Sequence, residues 1–273
     1  MWVGLYARQL LAVLVMPLAA ATTTAANYKG AMVVDVESGA VLFEDNPDYV
    51  GPPASVTKLM TFLVVHDLIE AGRISLETPV TVSAADSRMG GTQVWLKQDE
   101  VFPVRELLYA LMVQSANDAA HALSHAAGTT REEFVALMNE RARDLGMTNT
   151  IWRSPHGLPP RSRQLSETDQ TSPRDLTRYS SIEKRPFGAP VRQKTVAMDN
   201  HNNLLGKVRG VDGLKTGFTR AAGFCLAATV ERDGRRIIAV IMGSPSAKER
   251  DFKMIELIED AFARELPEPA TLR

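Results

Sequence analysis

The sequence predicts an α/β fold of the α+β type, with one antiparallel sheet drawn from strands at both ends of the chain and packed against a block of helices. Three observations lead there. A strand hairpin opens the globular part, apolar helical segments fill the middle, and three strands followed by one helix close it. No glycine-rich strand-to-helix turn and no regular βαβ alternation is present, so a doubly wound nucleotide-binding sheet is not expected.

The hairpin reads Ala31-Met32-Val33-Val34-Asp35-Val36, a Ser38-Gly39 turn, and Ala40-Val41-Leu42-Phe43. After Pro52-Pro53, residues 54–71 carry apolar side chains on nearly every face, the pattern of a buried helix, and Gly72 ends it. Residues 80–102 are mixed. Pro103 stands at a first helical position ahead of Leu107, Leu108, Leu111 and Met112. Helices over 117–127 and 131–145 follow, the second opened by the capping-box pair Thr130 and Glu133 and stopped by Gly146. Residues 154–172 have no period and many Pro, Arg, Ser and Thr, which makes them a long loop of the kind that often carries function. A short helix is expected from Pro173. Strands over 213–219, 222–231 and 237–243 precede an amphipathic helix over 249–265.

Composition excludes several classes of function. The 273 residues include 31 basic and 32 acidic side chains, a net charge of −1, so the basic excess of a dedicated nucleic-acid binder is missing. The single cysteine, Cys225, rules out an internal disulfide and a cysteine-rich metal site, and it reads as a small hydrophobe buried mid-strand. His121 and His125 are four apart on a predicted helix with no evident third ligand, so no metal is expected. His156 reads as a residue that positions the long loop, and Arg250 as a surface arginine in preference to a carboxylate-binding one.

Arg8, the apolar run Leu10 to Met16, Pro17 and the small residues Ala19, Ala21 and Ala26 follow the plan of a secretory signal peptide. Its apolar stretch is shorter than the ~20 residues a spanning helix needs. The expected organisation is a signal over 1–26 and a single domain over 27–273, exported to a periplasm or cell-wall space. An uncleaved N-terminal anchor is the alternative. The last helix is acidic, with Glu256, Glu259, Asp260 and Glu265, and no strong membrane anchor is expected once the signal is removed.

Three short motifs carry chemistry. Ser55-Val56-Thr57-Lys58 starts the buried helix, where residues three apart share a face and a lysine amine can take the proton of a serine hydroxyl. Ser115-Ala116-Asn117-Asp118 lies at a junction between helices and can turn a hydroxyl and an amide into one cleft. Lys215-Thr216-Gly217 lies on a strand, where glycine admits a close backbone and the other two can hold a carboxylate. Singly, each reads first as helix capping, a snorkelling lysine or an edge strand.

In this order and on these elements, the three form the signature of penicillin-binding proteins and class A β-lactamases. The chain resembles the low-molecular-weight penicillin-binding proteins that are serine-type D-alanyl-D-alanine carboxypeptidases. Further stretches carry the likeness: Gly91-Thr92-Gln93-Val94-Trp95-Leu96, His156-Gly157-Leu158, and Val211 through Phe218-Thr219. The resemblance implies a β-lactamase/transpeptidase-like fold and an acyl-enzyme on Ser55, with Lys58 as base and Ser115 and Asn117 relaying a proton and holding the peptide. It also implies that Lys215, Thr216, Gly217 and Phe218 bind the substrate, with the N–H groups of Ser55 and Phe218 as oxyanion hole. The implied partners are peptidoglycan stem peptides and, as acylating inhibitors, β-lactams. No cofactor is implied.

Two departures stand out. Some relatives have histidine where this chain has Phe218. Glu167 is the only acid near the place of the deacylating glutamate of class A β-lactamases, and it lacks that family's surroundings, so slow penicillin turnover is expected. A DD-endopeptidase of the same fold and a non-catalytic cell-wall or β-lactam-binding module are the rival readings.

Overall fold

The computed structural model describes residues 27–159, 184–187 and 196–264. Residues 1–26, most of the long loop and the helix expected from Pro173 lie outside the described residues, as does Glu167.

A five-stranded antiparallel sheet takes its strands from both ends of the chain, as expected. It comprises β1 (Gly30–Asp35), β2 (Val41–Asp45), β7 (Val211–Thr219), β8 (Gly223–Arg232) and β9 (Arg235–Ser244), in the order β2-β1-β9-β8-β7. The inner strands read as continuous apolar runs because both faces are covered. Ile237, Ala239 and Ile241 of β9 pack with Leu226, Ala228 and Val230 of β8 against the final helix, α5 (Ala247–Ala263), through Met254, Leu257, Ile258 and Ala261. The alternate residues Ile238, Val240, Met242, Cys225 and Ala227 face the helical block. Cys225 is fully buried, and burial pushes its thiol up to about 11, which leaves it inert.

The helical block holds α1 (Lys58–Glu70), α2 (Val104–Met112), α3 (Asn117–Leu123) and α4 (Arg131–Asp144). Two short pairs, β3 (Pro79–Thr81) with β4 (Val101–Pro103) and β5 (Lys184–Phe187) with β6 (Val196–Asp199), were not foreseen; the first lies in and beside the stretch read as mixed. Pro103 ends β4 and caps α2 from an extended conformation instead of occupying its first turn. The capping box at Thr130 and Glu133 is formed, and α4 ends one residue before the expected limit. The helix expected to 127 stops at Leu123, where the Ser124 hydroxyl donates to the His121 carbonyl at 2.6 Å and competes for the backbone. The helix expected over 54–71 starts later, because Ala54–Thr57 form a tighter 3-10 turn.

Candidate active site

That 3-10 turn has a chemical consequence, since its side chains at i and i+3 eclipse each other. Ser55 and Lys58 are so spaced, and Lys58 Nζ donates to Ser55 Oγ at 3.0 Å. The amine also donates to Asn117 Oδ1 at 2.6 Å and to the His156 carbonyl at 2.9 Å. Lys58 is fully buried, so these oxygens replace its hydration. A neutral amine in this position would give its two N–H groups to Asn117 and His156 and turn its lone pair to the Ser55 hydroxyl, the arrangement a general base requires.

Asn117 opens α3 and joins two walls of the site. Its Oδ1 receives the Lys58 bond, and its Nδ2 donates to the Gly90 carbonyl at 2.8 Å. Its neighbour Asp118 is buried, and its carboxylate accepts from Val94 N, Leu96 N and Ala119 N, which pins the stretch 92–96 to α3. Burial holds the Asp118 carboxyl above the usual range despite those donors. Ser115 is buried with a positive φ of 60°, and its Oγ finds no hydrogen-bond partner among the described residues. A strained, unsatisfied hydroxyl on a groove wall is a group kept for a ligand.

The third wall is β7, an edge strand of the sheet. Gly217 lies flat against the start of the 3-10 turn: a Cβ there would overlap the Pro53 carbonyl oxygen and come within 3.1 Å of Ser55 N. Only glycine lets the strand lie this close to the serine. Lys215 is buried beside it, donating to the Thr216 carbonyl at 3.0 Å, and burial followed by repulsion from Arg250 pulls its ammonium down to about 7. Phe218 is 53% exposed and stacks on Phe224 with ring centroids 4.2 Å apart.

A groove of about 280 Å³ gathers Ser55, Ser115, Thr216, Gly217 and Phe218. Lys58, Asn117 and Lys215 stand directly behind its surface, so every residue singled out from the three motifs is on or behind one groove.

The groove also contains residues the sequence reading passed over or misjudged. Arg250, expected at the surface, is 3% exposed and lines it, bonded to Asp251 and to the Cys225 carbonyl. The legible signal was its spacing, four residues before Met254 and seven before Leu257, which puts it on the buried face of α5. His201 also lines the groove, its imidazole held below its usual range by burial and by Lys215 and Lys58. No periodicity marks His201. His156 positions its loop as expected and in addition supplies the carbonyl that holds Lys58.

His121 and His125 do have an acidic neighbour. Asp86 is fully buried and accepts from His121 Nδ1 at 2.6 Å and His125 Nε2 at 3.0 Å. Against the burial that would raise it, these bonds hold its carboxyl well below the usual carboxylate range. Among the described residues no group of three or more such side chains is arranged to hold a metal ion.

The profile of the D-alanyl-D-alanine carboxypeptidase family, peptidase S11, matches residues 18–246. The chain belongs to that family. The S11 likeness extends to a D-alanyl-D-alanine carboxypeptidase of Bacillus subtilis, DacF, 33% identical over 242 residues that make up 86% of this chain and 62% of the relative. A D-alanyl-D-alanine endopeptidase of Escherichia coli is 29% identical over 82% of this chain and 74% of its own length. Penicillin-binding protein D2 of Listeria monocytogenes, solved in its ampicillin-bound form, superposes with a TM-score of 0.74 at 29% identity, covering 88% of this chain and 99% of that one. The chain thus spans about three fifths of the length of the curated S11 carboxypeptidases it matches.

Proposed function

We propose that the chain is a serine DD-carboxypeptidase that removes the terminal D-alanine from peptidoglycan stem pentapeptides. The observation that carries this reading is the placement of Lys58 Nζ, 3.0 Å from Ser55 Oγ and anchored by Asn117 and His156. Lys58 takes the Ser55 proton as Oγ attacks the carbonyl between the two D-alanines. The N–H groups of Ser55 and Phe218 hold the oxyanion, a contribution worth roughly 3–4 kcal/mol per donor. The proton on Lys58 returns through the Ser115 hydroxyl to the departing amine, while Asn117 keeps Lys58 in line and borders the peptide's path. The C–N bond breaks, D-alanine leaves, and water hydrolyses the ester on Ser55. Thr216 and Gly217 line the peptide's path, and Lys215 supplies positive charge for the terminal carboxylate, with Arg250 beside it. β-Lactams acylate the same serine.

In this reading residues 1–26 are a signal that directs export to a periplasm or cell-wall space, and 27–273 form a single catalytic domain. Among the described residues no helix is long and apolar enough to cross a membrane. A second reading, a DD-endopeptidase cutting cross-links, is favoured by the apolar wall of Phe218 and Phe224, which suits a bulkier leaving group.

Two assays test both. A fluorescent penicillin labels the protein, and Ser55→Ala abolishes the label; equal labelling of the variant overturns the serine mechanism. Free D-alanine released from a pentapeptide supports the carboxypeptidase, whereas cleavage of a cross-linked dimer alone supports the endopeptidase.

A further inference from the structure

Asn117, His121 and His125 recur four residues apart, so they follow one edge of α3 and of the turn beyond it. All three bond to a single short segment, residues 83–91. The Asn117 amide donates to the Gly90 carbonyl at 2.8 Å, and His121 Nδ1 and His125 Nε2 reach the two carboxylate oxygens of Asp86 at 2.6 and 3.0 Å. An ionised carboxylate can only accept, so both imidazoles donate and each is held in one tautomer.

Asp86 is the pivot of that segment. It is fully buried, its Oδ2 accepts from Ser83 N at 2.6 Å, its N–H donates to Ser83 Oγ at 3.2 Å, and its carbonyl accepts from Met89 N at 3.1 Å. This turn delivers the Gly90 carbonyl to α3. Burial would raise the Asp86 carboxyl, yet the bonds from His121, His125 and Ser83 hold it well below the usual carboxylate range, so the charge that grips both imidazoles persists where ordinary acids take up a proton. Gly91 completes the fit, since at its φ of +73° a Cβ would come within 2.7 Å of Asn117 Nδ2.

Asn117 passes the constraint on to the chemistry. With its amide nitrogen on Gly90, its Oδ1 is left aimed at Lys58 Nζ, 2.6 Å away. If the Gly90 carbonyl withdraws, the amide is free to rotate, and Lys58 loses one of the oxygens that fix its line to Ser55.

We propose that Asp86, His121 and His125 are positioning residues of the active site, which hold the Gly90 carbonyl on the Asn117 amide and through Asn117 set the orientation of Lys58 towards Ser55. Among the described residues none of the three lines the catalytic groove, and none belongs to the three short motifs. The inference rests on the acylation of Ser55 proposed above and deepens it.

The test is the rate of acylation by a fluorescent penicillin as a function of its concentration, which separates the half-saturating concentration from the limiting rate. Both imidazoles are partly exposed, and His121→Ala and His125→Ala, made singly, each leave the other on Asp86. In each, the limiting rate is expected to fall about tenfold or more while the half-saturating concentration changes by less than about twofold, because the β7 wall that receives the ligand is untouched. In His121→Asn and His125→Gln a side-chain amide nitrogen stands where the donating imidazole nitrogen stood, and the limiting rate returns to within about threefold of wild type. Where alanine prevents folding, followed by circular dichroism, His121→Gln and His125→Asn take its place, since they misplace the donor and give the same fall. Leu257→Ala, in the layer between the sheet and α5, lowers the urea midpoint and keeps the limiting rate. A wild-type limiting rate in the alanine variants, an equal fall in His121→Asn and His125→Gln, a loss carried wholly by the half-saturating concentration, or an equal fall in Leu257→Ala overturns the proposal and leaves the serine mechanism standing. Absence of labelling in the unaltered protein overturns that mechanism, and the proposal with it.

Discussion

Gly217 and Pro53 are in such close apposition that a methyl group on the glycine would overlap the proline carbonyl oxygen. The edge strand is thereby brought against the turn that carries Ser55. In Gly217→Ala the strand must move by some tenths of an ångström, away from the turn that carries Ser55. Overpacking of this kind costs about 1–3 kcal/mol. Penicillin acylation is expected to fall by ~100-fold or more while the far-UV circular dichroism stays unchanged, because only the gap between strand and turn is altered. Acylation at the wild-type rate would contradict the geometry.

Lys215 is expected to set a pH limit on the proposed activity. Its ammonium in the free protein is pulled down to about 7 by burial and then by Arg250, so its charge is lost as pH rises through that value. On the proposed mechanism, in which Lys215 supplies charge to the substrate carboxylate, kcat/KM for a pentapeptide is expected to fall on the alkaline side of about pH 7. In Arg250→Gln one repelling cation is removed, the Lys215 charge persists to higher pH, and the falling limb moves up even though the absolute rate drops. A limb that stays in place separates Arg250 from Lys215.

His156 ties stability to acid. Burial, followed by the Lys58, His121 and Arg131 charges, lowers its imidazole to about 3, whereas in the unfolded chain it titrates near 6.5. Below 6.5 the unfolded state therefore binds the extra proton, and stability declines as pH falls from about 6.5 towards about 3. At pH 5 this amounts to ~2 kcal/mol from one residue. His156→Asn keeps an acceptor for Leu158 N and removes the titration. Urea unfolding at pH 7 and pH 5 is expected to show a smaller acid loss in the variant, and equal losses would refute the assignment.

Asp118 holds the stretch that carries Thr92 and Trp95. Val94 N, Leu96 N and Ala119 N all rest on its buried carboxylate. Asp118→Ala strands these donors and is expected to lower stability by ~3 kcal/mol, seen as a lower urea midpoint at unchanged slope. Asp118→Asn, which can accept through one oxygen alone, should fall between the two.

Much of this was legible because the determinants are local. Strand period, the capping box at Thr130 and the three short motifs are read within a few residues, and the structure brings Ser55, Lys58, Ser115, Asn117 and the Lys215-Thr216-Gly217 strand to one groove. What escaped depends on long-range placement. Arg250 reaches the groove through the packing of α5 on the sheet, and His201 is carried there by a turn in which Asn202 donates to the Gly213 carbonyl at 3.0 Å. The late start of α1 follows from Ala54, whose φ of 52° and contact with Gly217 no propensity encodes. Asp86 carries no signal of its own in the sequence, since a carboxylate 35 and 39 positions from its histidines leaves no local pattern.

The strand order β2-β1-β9-β8-β7 puts the first strand of the chain beside one of the last. Until Ser244 is available, β1 has only the β2 hairpin to pair with, and an isolated hairpin is marginal in water. The serine-bearing helix depends on β7 in the same way, across some 160 positions of chain. The loop-closure entropy must be met before either contact gives anything back, which makes folding slow and late to commit. A partly synthesised chain therefore holds Ser55 and Lys58 but not the strand that completes the groove, and the reactivity towards acylating agents proposed for Ser55 is expected only once the last strands arrive.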